Sequence, residues 1–182
     1  MKVLSLLVRI TAIGSINNFF TGVFMKTAVV FYSLSGNCSY IAAHLQERLE
    51  TDCFELKLRD GKKRKGFFSM LWGGFMVVSG KLPALWPINF DPSRYDLIIL
   101  GAPVWAGSLA PPMKSFLNST RITGKKIALF TCYAGDAGKS FEEFEAFLPG
   151  SKITGRTGFK NPKNIKPDEV KLLINDWVKE IV

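Results

Sequence analysis

One histidine, His44, and three cysteines, Cys38, Cys53 and Cys132, are spread over 182 residues. The cysteines lie far apart, form no CxxC pair and have no histidine at ligand spacing, which argues against a structural zinc site or a disulfide framework. Reduced thiols in a cytoplasmic protein fit that usage. His44 falls inside a helical pattern with no second ligand near it and reads as a surface or half-buried side chain. Acids are also scarce, 15 against 24 lysines and arginines, for a net charge of +9. That balance favours an anionic partner such as a phosphorylated cofactor, a nucleotide, a nucleic acid or an acidic lipid. Neither the GxxxxGK[ST] lysine loop nor the GxGxxG fingerprint occurs, which disfavours nucleoside triphosphate hydrolysis and a dinucleotide fold of that type. No internal repeat, low-complexity tract or second domain is visible.

Residues 1–24 lack a clean signature of any kind. Val3 to Val8 resembles the start of a signal peptide, but Arg9 interrupts it, no small-x-small cleavage site follows, and Asn17-Asn18 break the next stretch. Met25-Lys26 then precedes the first strand directly, as a natural start would. A dispensable or mis-assigned N-terminal extension is the favoured reading, with a membrane-associating segment or a secretion signal as alternatives. Its loss removes Lys2 and Arg9 and no acids, so +9 becomes +7 for the domain over residues 25–182.

What is present is alternation. Thr27 to Tyr32 is a six-residue apolar run, Ser33 to Ser39 a polar loop around Gly36, and Tyr40 to Leu49 an amphipathic helix. Cys53 to Leu58 alternates and reads as a strand nearer a sheet edge. Asp96 to Gly101 is apolar on both faces, the mark of a central parallel strand, and Ala102 to Pro112 reads as the long loop leaving it. Pro111-Pro112 open a helix through Met113, Phe116 and Leu117. Lys126 to Thr131 is the next buried strand, emptying into the loop Cys132 to Gly138, and a helix with Phe141, Phe144 and Leu148 follows. Ser151 to Phe159 supplies a fifth strand. The last helix places Val170, Leu173, Ile174, Trp177, Val178 and Ile181 on one stripe. About five strand–helix alternations define a doubly wound parallel α/β sheet.

The stretch from Arg59 to Arg94 is the least regular. It holds the basic run Lys62-Lys63-Arg64-Lys65 and the apolar run Phe67 to Val78, interrupted by Gly73-Gly74. The apolar run is too short to span a bilayer. A broken helix packed on the sheet is the plain expectation; contact of Lys62–Val78 with an acidic membrane surface is the sharper one.

In such a sheet, ligands bind beyond the carboxyl ends of the strands. Three loops leave those ends. Ser33–Ser39 offers hydroxyls and helix N-terminal amides that suit a phosphate. Ala102–Ala110 and Cys132–Gly138 offer Trp105 and Tyr133 among small residues, which suit a flat ring. One phosphate and one planar ring describe a mononucleotide.

Tyr32-Ser33-Leu34-Ser35-Gly36-Asn37-Cys38 resembles the flavodoxin phosphate loop, [ST]-x-[ST]-G-x-T. Tyr95 to Gly107 resembles the third strand and first flavin loop of flavodoxin-like oxidoreductases, and Phe130 to Asp136 the second flavin loop. The likeness runs from Met25 to Val182 in order and spacing. It implies a flavodoxin-like fold with five strands in the order 2-1-3-4-5, FMN as cofactor, and redox chemistry done by the flavin, with no catalytic side chain required. It further implies that Ser33, Ser35, Gly36, Asn37, Cys38 and Ser39 hold the phosphate. Pro103, Val104, Trp105, Ala106 and Gly107 would line one side of the ring, and Cys132, Tyr133, Ala134, Gly135 and Asp136 the other. Cys38 replaces the family's threonine, and a thiol at a helix N-terminus is expected to ionise readily and to be protected from alkylation by FMN.

Electron-carrier flavodoxins are acidic, whereas this domain is basic. The expected activity is therefore transfer of electrons or hydride from NAD(P)H or a redox-protein donor to a small organic or quinone acceptor, without a nucleic-acid partner. A one-electron carrier is the alternative within redox chemistry. A non-catalytic basic module that docks on membrane or nucleic acid is the alternative outside it.

Overall fold

The structure is a computed structural model that describes residues 25–60 and 66–182. The expectations for residues 1–24 and for Lys62–Lys65 fall outside the described residues. Among the described residues six strands and five α-helices follow one another as β1 (Thr27–Tyr32), α1 (Asn37–Leu49), β2 (Asp52–Leu56), α2 (Gly66–Ser79), β3 (Leu97–Trp105), β4 (Ser108–Leu109), α3 (Pro111–Ser119), β5 (Lys126–Tyr133), α4 (Ser140–Ala146), β6 (Lys152–Lys160) and α5 (Pro167–Ile181). Five strands form a parallel sheet in the order β2-β1-β3-β5-β6, and the two-residue β4 pairs antiparallel with the end of β3. Leaving β4 aside, this is the doubly wound order 2-1-3-4-5.

Burial explains the order. All six residues of β1 and the first six of β3 are buried, because each strand has neighbours on both sides and helices on both faces. β2 lies at an edge, and of its five residues only Leu56 is buried, which fits a strand paired on one side. One face packs Ile41 and Leu45 of α1 and Ile174, Trp177 and Ile181 of α5 on Val29, Ile99 and Phe130. The other packs Met113, Phe116 and Leu117 of α3 and Phe144 of α4 on Val30, Ile98, Leu100 and Leu129. Leu173 leaves the stripe expected of α5: it is 52% exposed, at the margin of the helix face that meets the sheet.

Several boundaries differ from the sequence reading, for identifiable reasons. α1 begins at Asn37, so Asn37, Cys38 and Ser39 form its first turn rather than a loop. β2 stops at Leu56, and Leu58 makes an isolated bridge to Leu85. β3 continues through Pro103 and Val104 to Trp105, turns at Ala106 and Gly107, and returns as β4. Small residues here continue a strand instead of opening a long loop. Ala106 (φ 48°) and Gly107 (φ 71°) both take the left-handed backbone that a tight two-residue hairpin demands. α2 runs unbroken through Gly73-Gly74. A glycine pair lowers helix propensity by about 1 kcal/mol each but does not forbid a helix.

Candidate cofactor-binding site

Parallel register brings three strand ends to one edge. Phe31 pairs with Gly101 and Pro103 with Cys132, so the strands that end at Tyr32, Trp105 and Tyr133 end on the same side of the sheet, with β3 reaching furthest. A cavity of about 690 Å³ opens there, within the range of small-molecule sites.

Its first wall is the β1–α1 junction. Ser33, Leu34, Ser35, Asn37 and Cys38 line it. Gly36 caps α1 with a φ of 88° and contributes no side-chain cap, which leaves the amides of Asn37 and Cys38 for a ligand at the positive end of the helix dipole. Gly36 and Ser39 do not line the cavity. Gly36 supplies the turn, with its carbonyl accepting from Tyr40 N–H at 3.0 Å. Ser39 N–H donates to Ser33 Oγ at 3.2 Å and closes the loop on the helix.

Cys38 is where the structure corrects the sequence reading. Its side chain turns inward, and the residue is only 1% exposed. Burial and a hydrogen bond with the neighbouring Cys132 push its thiol well above the usual cysteine range. The direction is opposite to the readily ionised thiolate expected of a helix-start cysteine, because burial disfavours the charged form. Iodoacetamide at neutral pH should leave Cys38 unlabelled in the folded protein whether or not FMN is present. Rapid labelling that FMN suppresses would contradict this burial.

The second wall is the β3–β4 hairpin. Pro103, Val104, Trp105, Ala106 and Gly107 all line the cavity. Trp105 is held from two directions. Its ring meets Tyr32 edge-on at 5.7 Å, and a Cβ on Gly73 of α2 would lie 3.1 Å from the indole. Gly73 therefore lets α2 approach the tryptophan closely, and the next residue, Gly74, lines the cavity itself. Glu143 of α4 fixes the base of the hairpin. It accepts from Ser108 Oγ at 2.7 Å and Leu109 N–H at 2.6 Å, and pairs with Lys114 Nζ at 3.0 Å. Burial alone would raise the Glu143 carboxyl, but the bonds from Ser108, Leu109 and Lys114 bring it below the ordinary value. A lowered folded-state pKa means the stabilisation is fully present above the unfolded value of about 4.3 and is lost as pH falls through the folded value. Glu143→Gln should cost roughly 1–2 kcal/mol at neutral pH by urea unfolding, with the deficit shrinking on acidification.

The third wall is the turn after β5. Cys132, Tyr133, Ala134, Gly135 and Asp136 line the cavity, although Cys132 and Tyr133 still belong to the strand. Asp136 Oδ1 accepts from Gly138 N–H at 2.8 Å and shapes the turn. Lys139 N–H donates to Gly107 O at 2.8 Å, which ties this turn to the hairpin. Tyr133 lies over β6, where a Cβ on Gly158 would come within 2.6 Å of its ring.

A fourth contribution was not read from the sequence. Asn161, just beyond β6, lines the cavity and donates its N–H to Tyr133 O at 2.8 Å. Two residues on, Lys163 places its Nζ 3.3 Å from the point a Cβ on Gly36 would occupy. The signal was available: Lys160-Asn161-Pro162 is a turn at the carboxyl end of the fifth strand, where the strand-end rule applies as it does to the other three.

Hydroxyls and first-turn amides at one end, and two aromatic walls with close-packed glycines at the other, suit a ligand with an anionic group and a planar ring. The architecture is that of a doubly wound α/β protein with its cleft at the strand ends. No protein-family model matches the chain, and no curated protein matches it. Solved structures do match. A flavoprotein from Lactobacillus acidophilus NCFM, solved in complex with FMN, aligns with a TM-score of 0.65 at 23% identity over 85% of this chain and 99% of that one. A WrbA-like flavodoxin from Agrobacterium tumefaciens aligns at 0.57 and 13% identity over 86% and 95%. The rubredoxin oxygen:oxidoreductase of Desulfovibrio gigas aligns at 0.52 and 11% identity, with 86% of this chain covering 35% of that one. The chain has the flavodoxin-like fold.

Proposed function

We propose that the chain binds FMN and transfers electrons or hydride between NAD(P)H and an organic acceptor such as a quinone. The cavity carries this reading, since the start of α1 and the aromatics Trp105 and Tyr133 converge on one space. The L. acidophilus flavoprotein of the same fold, solved with FMN, supports it. FMN, when bound, supplies a ring that takes up and returns electrons. The protein's part is positioning. Ser33, Ser35 and the amides of Asn37 and Cys38 would hold the phosphate, while Trp105 and Tyr133 flank the ring. The hairpin and β5 turn are tied together by Lys139 N–H and Gly107 O, which would hold the two walls at a fixed spacing around the ring.

Two observations favour an enzyme acting on a lipid-soluble acceptor over a soluble carrier. The net charge is +9, which suits anionic NAD(P)H or an acidic surface. Beside cavity-lining Gly74, Phe75 is 63% and Val78 86% exposed, so apolar surface adjoins the mouth of the site. Contact of the 62–78 segment with an acidic membrane surface is part of the same reading. Among the described residues no helix is long and apolar enough to cross a membrane, and a cytoplasmic protein touching the bilayer from one side is proposed.

The test is anaerobic mixing of FMN-loaded protein with NADH or NADPH, followed by a short-chain quinone. Bleaching of the visible flavin band and quinone-dependent recovery are expected. Reaction with one-electron donors but with neither pyridine nucleotide would favour the carrier instead.

A further inference from the structure

The turn after β6 brings a cation beside the start of α1, next to the cavity wall that Ser33, Ser35 and Asn37 form. Lys163 belongs to a 3-10 turn (Pro162–Asn164) whose backbone is anchored. Pro162 is buried, Asn161 N–H is bound to Tyr133 O at 2.8 Å, and Asn164 N–H to Asn161 O at 2.8 Å. From that base the Lys163 ammonium reaches to 3.3 Å from the Cβ point of Gly36, the residue that caps α1. Among the described residues none of the ion pairs involves Lys163.

An unpaired ammonium beside the positive end of a helix dipole is an unfavourable arrangement by itself, since both carry the same sign. An anion placed between them reverses the balance, because it then receives a charge-assisted hydrogen bond as well as the helix amides. Serines and amides alone would cradle a phosphate without neutralising it.

We infer that Lys163 is the specificity residue that makes this site prefer a phosphomonoester flavin to the same flavin without its phosphate. This rests on the flavin reading above. Standing beside the cap of α1, the lysine would meet the phosphate end, so its effect would belong to binding and not to the redox step. Its side chain is exposed, so the expected gain is that of a partly solvated charge-assisted contact, about tenfold in affinity.

The experiment titrates FMN and riboflavin separately into the full chain, followed by quenching of flavin fluorescence, for the wild type, Lys163→Gln, Lys163→Arg and Lys166→Gln. Lys163→Gln is expected to weaken FMN about tenfold and riboflavin less than twofold, and to flatten the salt dependence of FMN binding. Lys163→Arg should keep most of the preference. Lys166→Gln, which removes the same net charge three residues away, should change the FMN-to-riboflavin ratio less than twofold. An unchanged ratio in Lys163→Gln, or an equal fall in Lys166→Gln, overturns the assignment while leaving the flavin site standing. A wild type that binds neither flavin overturns the flavin reading and this inference together, so the two failures are distinguishable.

Discussion

Gly101→Ala is expected to destabilise the protein by about 3 kcal/mol or more, among the largest effects available to a single methyl group. Gly101 lies in the middle of β3, opposite Phe31 on one side and Phe130 on the other. A Cβ there would come within 1.9 Å of the Phe130 ring. That ring has nowhere to go. It is fully buried and meets Phe159 and Trp177 edge-on, each with centroids 6.4 Å apart. Relief would require moving β3, and β3 carries the hairpin with Trp105. Urea unfolding should show a lower midpoint at unchanged slope, the sign of lost stability without a change of unfolding mechanism. Adding Phe130→Leu should recover part of the loss, because the smaller side chain vacates the space, and the double-mutant cycle should be strongly non-additive. Full additivity would show that the clash is not with Phe130.

Trp105→Ala should weaken FMN binding by roughly 30- to 100-fold, the range of a well-packed aromatic anchor. The tryptophan is only half-buried, so its contribution to the fold is modest. Its position is nonetheless fixed by Tyr32 on one side and Gly73 on the other. A pre-set aromatic wall costs little ordering entropy when a ring stacks on it. Trp105→Phe should retain most of the affinity. Thermal unfolding of the cofactor-free variants separates this role from a purely structural one. A large drop in unfolding temperature with unchanged flavin affinity would make Trp105 a lid on the core and nothing more.

The sheet was legible because its strands are continuous apolar runs and its helices carry 3.6-residue stripes. Thr27–Tyr32 and Leu97–Leu100 could hardly be anything but central strands. Features that depend on side-chain direction were not legible. Position alone makes Cys38 a helix-start thiol; only the packing shows it turned inward against Cys132. Composition makes Ala102–Ala110 a loop, whereas pairing with β5 extends β3 through Pro103. Gly73-Gly74 reads as a break, yet Gly73 is small because Trp105 lies against it, a reason that arises only across the fold. Lys163 was hidden for the same cause: nothing between residues 36 and 163 in sequence announces that they meet.

The most direct measurement is a titration of FMN into the purified full chain, cleared of any bound flavin, at low ionic strength. Saturable quenching at one FMN per chain, with roughly micromolar affinity or tighter and a yellow protein after gel filtration, is the expected result. A protein that stays colourless and quenches no flavin would contradict the account.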